Sequence, residues 1–116
     1  MKFVFDLDGT LTKYETLPAI AAKFGVEKEL AMLTDKTIRG DVPFLESFIQ
    51  RVKMLSEIDP SEISELLSEV EVNQHLLQFI LENNSDCIIA TGNYRGWVEQ
   101  LCEKFKCEYR CAEGSL

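Results

Sequence analysis

Lys2-Phe3-Val4-Phe5-Asp6-Leu7-Asp8-Gly9-Thr10 is the stretch from which the rest of the chain is best read. Phe3, Val4 and Phe5 form a short apolar run that stops at acidic residues and a glycine, the pattern of a buried strand entering a loop. Asp6 and Asp8 lie at alternate positions, so in an extended segment their side chains leave the same side of the chain while Leu7 points into the core. Two carboxylates in one pocket repel. A divalent cation or a retained proton relieves the repulsion, and oxygen ligands of this kind suit Mg2+. Gly9 lets the backbone turn sharply near a ligand, and Thr10 offers a hydroxyl and an amide to the same region. The plain alternative stays open at this point, because two acids and a glycine also serve as a simple polar exit from a strand.

A second stretch has the same design. Cys87-Ile88-Ile89-Ala90 is apolar, Thr91-Gly92-Asn93 is a small polar turn, and Trp97, Val98, Leu101, Cys102 and Phe105 follow at helical spacing. Residues 107 to 111 read as a third strand. Between the two stretches the periodicity is helical. Leu17, Ile20, Ala21 and Phe24 are closed by Gly25, and a pattern from Pro43 is expected to bury Phe44, Leu45, Phe48, Ile49, Val52 and Leu55. A third helix starts at Asp59-Pro60 with Glu62 as a capping-box partner and a stripe of Ile63, Leu66, Leu67 and Val70. The fourth runs through Leu76, Leu77, Phe79 and Ile80 to a left-handed stop at Asn83-Asn84. One strand, a block of helices, then strand, helix and strand describes an α/β core with a helical insertion. Ligands in open α/β sheets bind at the carboxyl ends of strands, so the turns at Asp6 to Thr10 and Thr91 to Asn93 are candidates for one shared site.

The bulk numbers bound the function. The 116 residues, 46% of them hydrophobic, suffice for one core. No stretch approaches the ~20 apolar residues that span a bilayer, and a soluble, cytoplasmic protein with no membrane partner is expected. A net charge of −8 argues against a nucleic-acid partner. Cys87, Cys102, Cys107 and Cys111 are expected as reduced thiols; their spacings do not make a zinc site. His75 reads as a helix-surface residue and Trp97 as core.

Phe5-Asp6-Leu7-Asp8-Gly9-Thr10-Leu11-Thr12 resembles the first signature motif of the haloacid dehalogenase superfamily, and Ile88-Ile89-Ala90-Thr91-Gly92-Asn93 resembles its second. The insertion resembles the small helical cap of the phosphoserine phosphatases in order and spacing: Glu15, then Ile38-Arg39-Gly40, Phe44, Glu46-Ser47 and Arg51-Val52. The resemblance implies a partial Rossmann-like core of residues 1–14 and 76–116 with a helical cap of residues 15–75 inserted after the first strand. It further implies a Mg2+-dependent phosphatase of serine biosynthesis, acting on phosphoserine or a similar small phosphorylated metabolite. Asp6 would be the nucleophile that forms an aspartyl-phosphate and Asp8 the general acid and base, both on the metal. Thr10, Thr91 and Gly92 would hold the phosphate, the last two at the start of the following helix. Glu15, Ile38, Phe44 and Arg51 would bind the substrate, with Arg51 on its carboxylate.

Three departures qualify these expectations. Asn93 stands where phosphoserine phosphatases usually have a second glycine. The family's later lysine and acidic pair have no counterpart in these residues, so the chain is expected to be the N-terminal part of a longer protein. By itself it would expose its first strand and form a homo-oligomer through it. The rival reading is a non-catalytic phosphate-binding or regulatory module.

Overall fold

A computed structural model describes residues 1–113, apart from the side chains of Phe44, Phe48 and Val52. Three strands, β1 (Phe3–Phe5), β2 (Cys87–Tyr94) and β3 (Glu108–Ala112), form a parallel sheet in the order β1-β2-β3. Phe3 pairs with Cys87 and Phe5 with Ile89, while Ile88 pairs with Glu108 and Ala90 with Arg110. Parallel neighbours need crossover connections. Here β1 and β2 are joined through α1 (Thr16–Phe24), α2 (Glu27–Arg39), α3 (Phe44–Ser56), α4 (Pro60–Ser68) and α5 (Gln74–Glu82), and β2 and β3 through α6 (Arg95–Glu103).

The chain divides into two compact units, Met1–Thr16 together with the chain from Pro60 on, and Leu17–Asp59. In the first unit α4 packs on α6, and Ile63, Leu67, Val98, Leu101, Cys102 and Phe105 are all fully buried. Burying one such side chain is worth roughly 1.5–3 kcal/mol, so this helix pair is a main source of the unit's stability. By packing, α4 therefore stays with the sheet, and the second compact unit is Leu17–Asp59, a shorter segment than the 15–75 cap the resemblance implies.

β1 is less buried than an apolar run suggests. Val4 is 67% exposed, while Phe3 and Phe5 are half-buried against Phe79, whose ring lies edge-on at 5.2 Å and 6.2 Å from theirs. The side chains of a strand alternate, and α5 covers only the Phe3 and Phe5 face. α5 itself begins where Asn73 accepts a hydrogen bond from Leu76 N at 3.1 Å. Its end corrects the expected left-handed stop: Asn83 has φ −130, and its side-chain amide instead donates to Phe79 O at 2.8 Å.

In the second unit α2 is a whole helix that is not among those expected from the sequence; its buried apolar residues are Leu30 and Leu33. It ends at Gly40 with φ 80, a conformation that suits glycine. α2 packs on α3, where the Thr37 hydroxyl donates to Leu33 O and lies 2.7 Å from Ser47 Oγ. Leu55 of α3 is buried as expected, but Leu45 is 68% and Ile49 45% exposed and the polar Ser47 is buried, while the side chains of Phe44, Phe48 and Val52, also expected in the core, lie outside the described residues. Residues four apart share a helix face, and Ser47, Arg51 and Leu55 form the inward row.

Candidate active site

At the carboxyl end of β1 the backbone leaves the sheet at Asp6 in extended conformation (φ −76, ψ 154) and winds through a tight turn, Leu7–Leu11. Leu7 and Leu11 are both 0% exposed and anchor the turn from below. Its interior is pinned by hydrogen bonds. Thr12 N donates to Leu7 O at 3.1 Å, and Thr12 Oγ1 accepts from Gly9 N at 3.0 Å and donates to Tyr14 O at 2.6 Å. Gly9 sits at φ 73, in the left-handed region where a side chain would be strained, and a Cβ there would lie 3.8 Å from Glu15 Cγ. The far side of the turn is stitched down where Thr12 bridges Val72 and Asn73 N donates to Leu11 O at 2.7 Å.

This scaffold gives the two carboxylates different surroundings. Asp6 is exposed, and its Oδ1 accepts from Leu7 N at 2.9 Å. Asp8 is half-buried and held from two directions: its Oδ1 accepts from both the backbone N (3.1 Å) and the hydroxyl of Thr16, and its Oδ2 from Asn93 Nδ2 at 3.3 Å. Asn93 Nδ2 also donates to Thr16 Oγ1 at 3.0 Å. The turn after β1 and the end of β2 are thereby joined at one point, as the two-turn pattern anticipates, through Asp8 and Asn93 of those turns and through Thr16, which lies outside both. Asn93 belongs to the second of those turns, whereas nothing in the sequence marks Thr16 for the site.

The surroundings of Thr91 and Gly92 correct an expectation. They do not open a helix; β2 continues to Tyr94, its ladder with β3 shifts register between Ala90 and Tyr94, and α6 begins at Arg95. Thr91 Oγ1 accepts from Asn93 N at 3.1 Å, so the hydroxyl shapes this bend while keeping its own proton to donate. Gly92 is exposed, with no atom within 4 Å of where a Cβ would stand. Thr10 is exposed on the first turn.

Of the remaining sequence candidates, Glu15 is exposed in the same unit, beside Gly9. Ile38, Phe44 and Arg51 belong to the second unit. Ile38 is 81% exposed at the end of α2, and the Phe44 side chain lies outside the described residues. Arg51 donates from Nη2 to Thr34 Oγ1 at 3.0 Å, and its buried Nε has no hydrogen-bond partner among the described residues.

The cysteines offer no competing nucleophile. Burial pushes Cys87, Cys107 and Cys111 up from the ordinary thiol range and Cys102 up to about 12, so all four stay protonated thiols near neutral pH. Among the described residues no cluster of three or more histidine, cysteine, aspartate or glutamate side chains is gathered for a metal, and no helix is long and apolar enough to cross a membrane.

The chain belongs to the haloacid dehalogenase-like hydrolases, whose family model matches residues 3–113. Curated relatives include the phosphoserine phosphatase of Archaeoglobus fulgidus, 25% identical over 91% of this chain and 32% of its own length. The phosphoserine phosphatase of Saccharomyces cerevisiae is 30% identical over 79% of this chain and 31% of its own length. The chain thus spans about a third of the length of these relatives. Among solved structures, a HAD family hydrolase from Salmonella enterica serovar Typhi shares the fold with a TM-score of 0.77 at 19% identity, over 97% of this chain and 40% of its own. Phosphoserine phosphatase from T. onnurineus superposes with a TM-score of 0.62 at 25% identity, over 93% of this chain and 55% of its own.

Proposed function

We propose that the protein hydrolyses small phosphomonoesters through a phosphorylated Asp6, and that a phosphorylated amino acid such as phosphoserine is its substrate. The observation that carries this reading is the contrast between the two aspartates: Asp6 presents an exposed carboxylate at the strand end, while Asp8 is clamped by Thr16 and Asn93. The family membership and the phosphoserine phosphatases among the relatives support it.

Asp6 attacks the phosphorus and forms an aspartyl-phosphate, splitting one hard hydrolysis into two transfers. Asp8 gives a proton to the departing alkoxide in the first step and takes one from the attacking water in the second. Thr91 and the amides around Gly92 and Thr10 receive the phosphoryl oxygens. The exposed Asp6 carboxylate and the Asp8 carbonyl oxygen are hard oxygen donors that fit Mg2+, which commonly binds one or two carboxylates with water and substrate phosphate completing its shell. When bound, the ion offsets the repulsion between an anionic nucleophile and a phosphate dianion. Following the family resemblance, Glu15 would meet the substrate ammonium and Arg51 its carboxylate, with Ile38 and Phe44 completing the substrate-binding set.

The test is phosphate release by the full-length protein, with trapping of the protein-bound phosphate. Wild type should carry a hydroxylamine-sensitive label and turn over, and Asp6→Asn should lose both. Turnover retained in Asp6→Asn would refute the reading.

A further inference from the structure

We infer that Asn93 and Thr16 are positioning residues for proton transfer, holding Asp8 so that only its Oδ2 can carry the proton delivered to the leaving group. The inference rests on the phosphatase reading above. Its starting point is a complete account of the hydrogens in the cluster. Asn93 Oδ1 accepts from Tyr94 N at 3.0 Å, which fixes the amide orientation and turns Nδ2 toward Asp8 and Thr16. An amide NH2 can only donate, and its two hydrogens go to Asp8 Oδ2 (3.3 Å) and Thr16 Oγ1 (3.0 Å). The Thr16 hydroxyl, accepting there, gives its own proton to Asp8 Oδ1.

Oδ1 then receives two hydrogen bonds, from Thr16 N and Thr16 Oγ1, as many as its two lone pairs accept. Oδ2 receives one, from Asn93, and keeps one direction open. A carboxylic proton therefore has a single place to sit. Thr16 is buried, whereas Asn93 and Asp8 are half-buried, so the cluster is supported from inside and open on the Asp8 side. The asparagine thus does chemistry that a glycine at its position cannot: it ties the end of β2 to a carboxylate 85 residues earlier in the chain.

The experiment compares kcat/KM of wild type, Asn93→Ala and Thr16→Val in the full-length protein on an alkyl phosphate (phosphoserine) and on an activated aryl phosphate (p-nitrophenyl phosphate). kcat/KM reports the steps up to departure of the leaving group, so later dephosphorylation does not enter. An alkoxide needs a proton as it leaves and a nitrophenolate scarcely does. Both variants should lose about tenfold or more on the alkyl phosphate and less than about threefold on the aryl phosphate, a fraction of the 10²–10⁴ that general acid catalysis contributes. Thr16→Ser, which keeps the hydroxyl, should restore most of the loss. Circular dichroism and the thermal midpoint verify folding, and Thr16→Val, which keeps volume in a buried site, serves if Asn93→Ala does not fold. Equal losses on both substrates, or none, overturn the inference while Asp6-dependent turnover leaves the phosphatase reading standing. Absence of Asp6-dependent turnover in wild type overturns both.

Discussion

Replacing Thr12 with valine tests whether the turn bearing the two aspartates is held by one buried hydroxyl. Valine keeps the β-branched shape and nearly the volume, so no cavity opens at a side chain that is 1% exposed. What disappears is the acceptor for Gly9 N at 3.0 Å and the donor to Tyr14 O at 2.6 Å. At about 1 kcal/mol net per neutral hydrogen bond the loss is about 2 kcal/mol. Gly9 and Tyr14 are both exposed, so water recovers part of it. Leu7 O is still paired with Thr12 N and adds nothing. The expected destabilisation is about 1–2 kcal/mol, read as a lower urea midpoint with an unchanged m value. Thr12→Ser, which keeps the hydroxyl, should retain most of that stability. A shift below about 0.5 kcal/mol in Thr12→Val, or an equal cost for the serine variant, would show that the turn is held by its leucines alone.

Other outcomes follow from the same geometry. Arg51→Ala should lower kcat/KM for phosphoserine by about 2 kcal/mol while leaving an aryl phosphate nearly unaffected; equal losses would assign Arg51 to the packing of α2 on α3. Leu45→Gln should change unfolding free energy by less than about 0.5 kcal/mol, whereas Leu55→Ala should cost about 2–5 kcal/mol; chemical denaturation separates the two, and a costly Leu45→Gln would contradict the exposure of Leu45. The Cys102 thiol is pushed from 9.0 up to about 12 by burial, so the folded state favours the neutral form. Its contribution is intact below pH 9 and declines as pH rises from there toward 12, because the unfolded chain releases the proton first. Unfolding free energy measured from pH 8 to 11 should therefore fall with pH, less steeply in Cys102→Ala; identical slopes would place the effect elsewhere.

The local chemistry of the chain is legible without coordinates. An apolar run ending in Asp6-Leu7-Asp8-Gly9 needs no distant contact to become a strand exit, because Leu7 is buried by alternation and Gly9 supplies the positive φ. The start of α4 at Pro60 and the end of α1 before Gly25 are equally local. Three things were decided only in the tertiary structure. β2 runs on through Thr91-Gly92 because Tyr94 still pairs with Ala112, so the ladder overrides a turn-and-helix signal. α3 turns Ser47 inward and leaves Leu45 and Ile49 exposed because the partner is α2, whose hydroxyl at Thr37 meets Ser47. The clamp on Asp8 joins residues 77 and 85 positions apart. Composition and periodicity describe neighbours along the chain, and a side-chain amide that bridges two strand ends exists only once the parallel sheet has set those ends side by side.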